Sequence, residues 1–395
     1  MIKFKSNINI DPKIIEIWAK SLLELENKTW KWNDFLWWMD LPKELLESKE
    51  LEKIQITAIR LWKISEIVVV VGIGGSYIGS KAIIDCFVDP FDCPKVVFAG
   101  NCFDEVYHSR LLNFLDKKNY SVIVISKSGT TLETKIAFEK ILEHSENKYW
   151  KTQIKERFVT ITDSKNWILR ERTNKIWCES FVIPENIGGR YSVFTACGLL
   201  PIAYRWIDIS KLLQWALEAQ KLTKNTEYKD NLALQYACQR YNFYKKENKL
   251  TEIFVPFIQT LWSLWWRWQQ LFGESDGKDW WWILPIFLKY STDLHSMGQF
   301  VQDWPKNIFE TFVWIENYES SNSLNSACHK WTLDAHQTWW IPILEWKLQK
   351  LDEYHIGQFL YFLMKSCAIW WYMLGINPFN QPWVENYKKA MKKYI

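Results

Sequence analysis

The chain has 395 residues, enough for two or three domains and a large core. Its net charge of +4 is too small to argue for nucleic acid, and no basic cluster with interleaved aromatics stands out. The start, MIKFKSNINI, lacks an apolar h-region and the longest apolar runs are strand-sized, so neither a secretory signal nor a membrane span is expected. The 8 cysteines are scattered singly, which fits reduced thiols in a cytoplasm rather than a disulfide frame or a zinc site. No HExxH occurs. His329 and His336 share a helical spacing but lack a placed carboxylate or cysteine partner, so no metal is expected.

Residues 1–50 read as helical and polar, with 14–25 amphipathic. From 51 onward strands and helices alternate. Residues 67–71 form a β-branched run of strand length and 76–87 a helix. Strands at 96–99, 121–125 and 158–162 are separated by helices at 104–114 and 131–143. This rhythm predicts a parallel sheet covered on both faces. Residues 195–247 read as mostly helical, and a second alternating region starts at 253–257 and runs to about 345. The last fifty residues are helical, broken by Asn377-Pro378-Phe379-Asn380-Gln381-Pro382.

Tryptophan is out of proportion. There are 27 Trp and only 14 Gly, where average usage gives about 28 Gly in a chain of this length. Trp280 to Trp282 occupy a loop, Trp339-Trp340 precede Ile341-Pro342, and Trp304 and Trp383 flank prolines. These are turn contexts, where a left-handed backbone favours glycine and strains an indole. UGA differs by one base from the glycine codon GGA. Reading UGA as tryptophan in a gene that uses it for glycine would give this pattern.

Three loops carry anion-binding chemistry. Gly72-Ile73-Gly74-Gly75-Ser76 joins a strand to a helix, where bare backbone and a helix N-terminus favour an anion. It is not the dinucleotide fingerprint GxGxxG. Ser126-Lys127-Ser128-Gly129-Thr130-Thr131 also follows a strand and opens a helix, and Thr130 and Glu133 have capping-box spacing. It is not a GxxxxGK[ST] loop. Ile187-Gly188-Gly189-Arg190-Tyr191-Ser192 can bring a guanidinium close to a bound anion. Taken singly, the first two also admit a plain tight turn and a hydroxyl-rich helix cap as the lesser readings, and the third reads better as a surface arginine. Two anion-ready turns in one parallel sheet favour a ligand at the strand ends. Farther on, Gly273-Glu274-Ser275 presents a carboxylate at a turn, and His295 lies just inside a helix opened by Thr292 and Asp293.

Together with Thr292-Asp293-Leu294-His295-Ser296-Met297-Gly298-Gln299 and the 377–382 segment, these motifs resemble the shorter bacterial form of glucose-6-phosphate isomerase. The likeness runs from about residue 35 to the end, with the motifs in the family's order. It implies an α/β fold of two sugar-isomerase-type (SIS) α/β/α sandwiches with mainly parallel sheets and a C-terminal helical arm. The expected division is an N-terminal helical segment, 1–50, packing on the second domain; a first domain, 51–185; a second, 186–375; and an arm, 376–395. Where the family has glycine, this chain has Trp282, Trp304, Trp339, Trp340, Trp371 and Trp383, whereas Trp38 and Trp268 fall where an aromatic is at home.

The resemblance implies interconversion of glucose 6-phosphate and fructose 6-phosphate through a cis-enediol, without metal or organic cofactor. Glu274 would shuttle the proton between C1 and C2. Arg190 would stabilise the enediolate. His295 and Lys388, seven residues after Gln381, would open the ring. Ser76, Ser126, Ser128 and Thr131 would hold the phosphate, helped by backbone near Gly75 and Lys127, and Gln270 and Gln381 would line the sugar site. A cytoplasmic homodimer is implied, with His295 serving the partner's site. Two rivals stay open: an isomerase of mannose or amino-sugar phosphates, and a non-catalytic sugar-phosphate sensor.

Overall fold

A computed structural model describes residues 2–6, 10–89, 91–92, 95–165, 168–303, 306–318, 323–391 and 393–394, without the side chains of 382–385 and 388. The chain divides into two compact units, one of Met1–Leu36 with Trp215–Ile395 and one of Trp37–Gln214. The described strands are β1 (Ile2–Ser6), β2 (Ile67–Val71), β3 (Val96–Ala99), β4 (Tyr120–Ile125), β5 (Phe158–Thr162), β6 (Glu179–Val182), β7 (Thr251–Pro256), β8 (Leu284–Phe287), β9 (Ile308–Ile315) and β10 (Ile343–Leu348).

In the unit of residues 37–214 the sheet order is β3-β2-β4-β5-β6, all parallel. Every residue of β2, β4 and β5 is buried. That is why these strands read as continuous apolar runs: helices cover both faces, so neither face can alternate with polar residues. Helix Lys49–Ile64 packs on helix Ala196–Tyr204 within this unit. The compact unit around this sheet runs from Trp37 to Gln214, beyond the 51–185 of the expected first domain on both sides. Arg190 consequently belongs with the first sheet.

In the other unit the order is β1-β10-β9-β7-β8. Strands β7 to β10 are parallel and β1 is antiparallel to β10, Ile2 opposite Leu348 and Phe4 opposite Trp346. The first residues are therefore a strand, not the helix expected for them. Phe4 turns inward against Trp346 and Tyr236, with ring centroids at 4.9 and 5.8 Å. Pro285 sits in β8, an edge strand, where a missing N–H costs least. The long helix Glu353–Leu374 is buried for most of its length and packs against helices Pro12–Glu26 and Leu232–Lys246. Asp352 caps its start by accepting from the His355 N–H at 2.9 Å, and Gly375 ends it with φ +69°. No described helix is long and apolar enough to cross a membrane.

Candidate active site

The anion loops assemble at the carboxyl ends of β2 and β4. The chain leaves β2 through Gly72 and makes a short 3-10 turn, Gly74–Ser76, before helix Ile78–Phe87. Gly75 packs directly on the backbone of Gly189. A Cβ on Gly75 would stand 2.2 Å from the Gly189 carbonyl oxygen, so only glycine permits this approach. Ser192 ties the two turns together, its hydroxyl donating to the Gly189 carbonyl at 2.9 Å and the Gly75 carbonyl at 3.4 Å. Arg190, in the turn Gly189–Tyr191, is therefore carried beside the Gly74–Ser76 turn, and it is buried there.

The second loop leaves β4 at Ser126 and enters helix Leu132–Lys148 at Thr131. Ser126 Oγ accepts from the Gly129 N–H at 3.0 Å, Ser128 Oγ pairs with Thr130 Oγ1 at 2.6 Å, and Gly129 is left-handed at φ +72°. Thr131 is the cap residue, but its side chain does not close on the helix N–H groups. Lys127 contributes backbone rather than charge. Its ammonium donates to the Glu185 carbonyl at 2.6 Å, and its own carbonyl accepts from the Asp163 N–H at 3.2 Å. Gly75, Ser76, Ser126, Lys127, Ser128, Thr131 and Arg190 thus lie in one unit.

The residues expected to act as acid and base lie in the other unit. Helix Trp262–Gly273 carries Gln270 and ends on Glu274. The exposed Glu274 carboxylate accepts from two amides: Gln381 Nε2 donates to Oε2 at 2.7 Å, and Gln270 Nε2 to Oε1 at 3.4 Å. Gln381 comes from the break before helix Pro382–Met391, which is moored when the Ser275 hydroxyl donates to Pro378 O at 3.4 Å and the Lys278 ammonium to Asn377 O at 2.7 Å. Lys388 lies on that helix, and its side chain is outside the described residues.

His295 is exposed on helix Leu294–Asp303, and its imidazole has no hydrogen bond to a described residue. Gln270, Glu274 and Gln381 are brought together by hydrogen bonds; His295 makes none to them. A cavity of about 1110 Å³ nearby is lined by Lys278, Trp280, Trp282 and Asn377, and Glu274 is not part of its wall.

One buried network was not foreseen from the sequence. Asp276, two residues after Glu274, is buried with Arg240, which lies 3.6 Å away. Arg240 also pairs with the buried Glu252, which accepts from Tyr236 at 2.5 Å and Thr311 at 2.6 Å. Asp276 itself accepts from the Ile283 N–H at 3.2 Å and the Trp370 indole at 3.3 Å. Two carboxylates thus face one guanidinium out of reach of water, and Glu252 takes the closer pairing. Burial pushes the Asp276 carboxyl up to about 7, against the pull of Arg240 and the two N–H donors. The available signal was Arg240 in helix Leu232–Lys246 and Glu252 inside an apolar strand: buried charge must find countercharge.

Comparison with known proteins identifies the family. Residues 56–282 match the family model described as phosphoglucose isomerase. The glucose-6-phosphate isomerase of Leptospira biflexa is 41% identical over 388 residues, covering 91% of this chain and 86% of the relative. That of Shouchella clausii is 40% identical over 397 residues, covering 93% and 88%. Among solved structures, a hypothetical protein from Thermus thermophilus superposes with TM-score 0.86 at 23% identity, covering 97% of this chain and 96% of that one. A glucose-6-phosphate isomerase from Chlamydia trachomatis gives TM-score 0.86 at 18% identity, covering 100% and 88%. These two structures share the α/β fold; the sequence relatives carry the kinship. The chain belongs to the phosphoglucose isomerase family.

Proposed function

We propose that the chain interconverts glucose 6-phosphate and fructose 6-phosphate in the cytoplasm, by proton transfer through a cis-enediol. The observation that carries this reading is the Glu274 carboxylate held by one amide on each oxygen. A carboxylate fixed this way, at a solvent-facing turn, can take a proton from one carbon and return it to the next on the same face of the sugar. Arg190 supplies fixed positive charge for the enediolate oxygen. Ser76, Ser126, Ser128 and Thr131, with the N–H groups near Gly75 and Lys127, hold the phosphate at the strand ends and helix starts.

Lys388 and His295 open the ring. The exposure of His295 and its lack of a hydrogen bond to the Glu274 cluster support a homodimer in which it serves the partner's site. The reaction as written uses only side-chain acids and bases and calls on no metal or organic cofactor.

The test is a coupled assay with fructose 6-phosphate, reading glucose 6-phosphate by a dehydrogenase, with mannose 6-phosphate and glucosamine 6-phosphate in parallel. Turnover of fructose 6-phosphate that Glu274→Gln abolishes is expected, with activity unchanged by a chelator. Binding without turnover would sink the isomerase reading in favour of a sensor.

We also infer that part of the tryptophan excess marks glycine positions. Among the described residues, five of the eight non-glycine residues with left-handed φ are tryptophans: Trp32, Trp177, Trp206, Trp280 and Trp340. Trp280 is 95% exposed and Trp340 85% exposed, so neither indole is held in a core. Trp38 and Trp268 are fully buried, and the Trp268 indole donates to Tyr236 at 3.0 Å; these are genuine core aromatics. Trp371 is buried in the last turn of helix Glu353–Leu374 and lends the idea no support. Trp304 and the Trp383 side chain are outside the described residues. The gene's codons, or the mass of a peptide spanning 279–289, decide the matter, and UGG at these positions would end it.

A further inference from the structure

Both sheets share one strand order. Counting only the parallel strands of each sheet, both contain the run second, first, third, fourth: β3-β2-β4-β5 and β8-β7-β9-β10. In such a sheet the connections leaving the first and third strands depart to opposite faces and open a crevice at the carboxyl ends, the usual place for a ligand. In residues 37–214 this crevice is flanked by the loops 72–76 and 126–131, assigned above to the substrate phosphate. In the other unit the same position, after β7 and β9, is a cavity of about 330 Å³. Its wall includes Gln259, Lys289, Ser291, Thr292 and Asn325, and no described carboxylate.

Several independent features give this cavity one electrostatic sign. Lys289 is its cation; the ammonium lies 4.5 Å from the Trp262 ring centroid and, among the described residues, forms no ion pair. The nearby Asp293 carboxylate is already engaged, accepting from the Lys289 N–H at 2.6 Å and from Ser296 Oγ at 3.0 Å. Helices Trp262–Gly273 and Leu324–Thr338 both begin at the cavity, Trp262 and Asn325 being in their first turns and in the wall. Their N-termini add positive potential to that of the lysine. The Ser291 and Thr292 hydroxyls make no hydrogen bond to a described residue and are free to donate. The volume falls at the small end of the range for metabolite pockets, roughly 300–1,000 Å³.

We propose that the crevice between β7 and β9 is a second anion site that takes a small phosphate monoester, with Lys289 as countercharge and Gln259, Ser291, Thr292 and Asn325 as hydrogen-bond donors. One charge and a ring of neutral donors suit a tetrahedral dianion with three free oxygens. The site follows from the topology and walls of this sheet and does not depend on the isomerase reading.

The experiment is calorimetric titration of the full chain with glycerol 3-phosphate at low ionic strength. Two equivalents per chain are expected. Lys289→Met should remove one, weakening it by about tenfold or more, as loss of a charged partner does, while fructose 6-phosphate turnover changes less than about twofold. Ser126→Ala with Ser128→Ala should remove the other equivalent and spare the Lys289-dependent one, so this inference and the isomerase reading fail separately. Thr292→Val with Gln259→Ala provides a second probe of the same site if Lys289→Met lowers the melting temperature. Absence of any equivalent that the Lys289 and Thr292/Gln259 variants weaken would overturn the proposal, whatever the Ser126/Ser128 variant does.

Discussion

Replacing Asp276 with asparagine isolates the buried charge behind the Glu274 turn. In the folded chain this carboxyl titrates at about 7, against an ordinary value of 3.8. Below the lower value both folded and unfolded chains hold the proton, and the group does not oppose folding. Between the two values the unfolded chain releases the proton and the folded chain keeps it, so stability falls as pH rises. Above about 7 both forms are ionised and the loss is complete.

At about 1.4 kcal/mol per pKa unit, the full span corresponds to roughly 4 kcal/mol, and the part between pH 5 and 8 to about 3 kcal/mol. Asparagine keeps one acceptor for the Ile283 N–H or the Trp370 indole and loses the other, a pH-independent cost of about 1–2 kcal/mol. Urea unfolding of both proteins at pH 5, 6, 7 and 8 reads the difference. The variant should gain on the parent by about 3 kcal/mol across that window, because every other titrating group cancels. A difference flat to within about 0.5 kcal/mol would refute the reasoning and place a full negative charge on Asp276 throughout.

Gly75→Ala forces a methyl to within 2.2 Å of the Gly189 carbonyl, and such overpacking costs about 1–3 kcal/mol; kcat/KM should fall by an order of magnitude or more, and an unchanged value would show that the turns need not touch. Trp280→Gly and Trp340→Gly should each raise stability by about 0.5–1 kcal/mol, because relief of about 1–2 kcal/mol of left-handed strain exceeds the added freedom of the unfolded chain. Trp268→Gly should cost at least about 3 kcal/mol, and chemical denaturation ranks the three. Glu274→Ala and His295→Ala chains, each nearly inactive alone, should regain activity when co-assembled, and verified mixed dimers that stay inactive would remove the shared-site reading.

Much of the fold was legible because buried parallel strands cannot hide. The runs at 67–71, 121–125 and 158–162 are rich in β-branched residues and buried on both faces, and the structure places β2, β4 and β5 on them. The first residues were misread, although IKFKS alternates with period two. Five residues carry too little pattern to compete with the long amphipathic helix that follows, and the partner that makes them a strand, β10, lies more than three hundred residues away. The packing of helix Ala196–Tyr204 on helix Lys49–Ile64 was not legible either, since it rests on tertiary contact rather than on periodicity.

The sequence by itself determined the chemistry on offer: glycines where backbone must approach, hydroxyls at helix starts, one carboxylate at a turn, and a histidine beside a helix start. Those properties are local, set by a residue's own backbone freedom and functional group, and short motifs carry them intact. Only the tertiary structure decided that Gln270 and Gln381 converge on Glu274, that Lys127 spends its charge on a carbonyl, and that Asp276 and Glu252 share Arg240. Gln270 reaches Glu274 along one helix, but Gln381 lies 107 residues from Glu274 and the Glu185 carbonyl 58 residues from Lys127; which partner a charge or amide finds across such spans depends on how helices and strands pack, which no single stretch of sequence encodes.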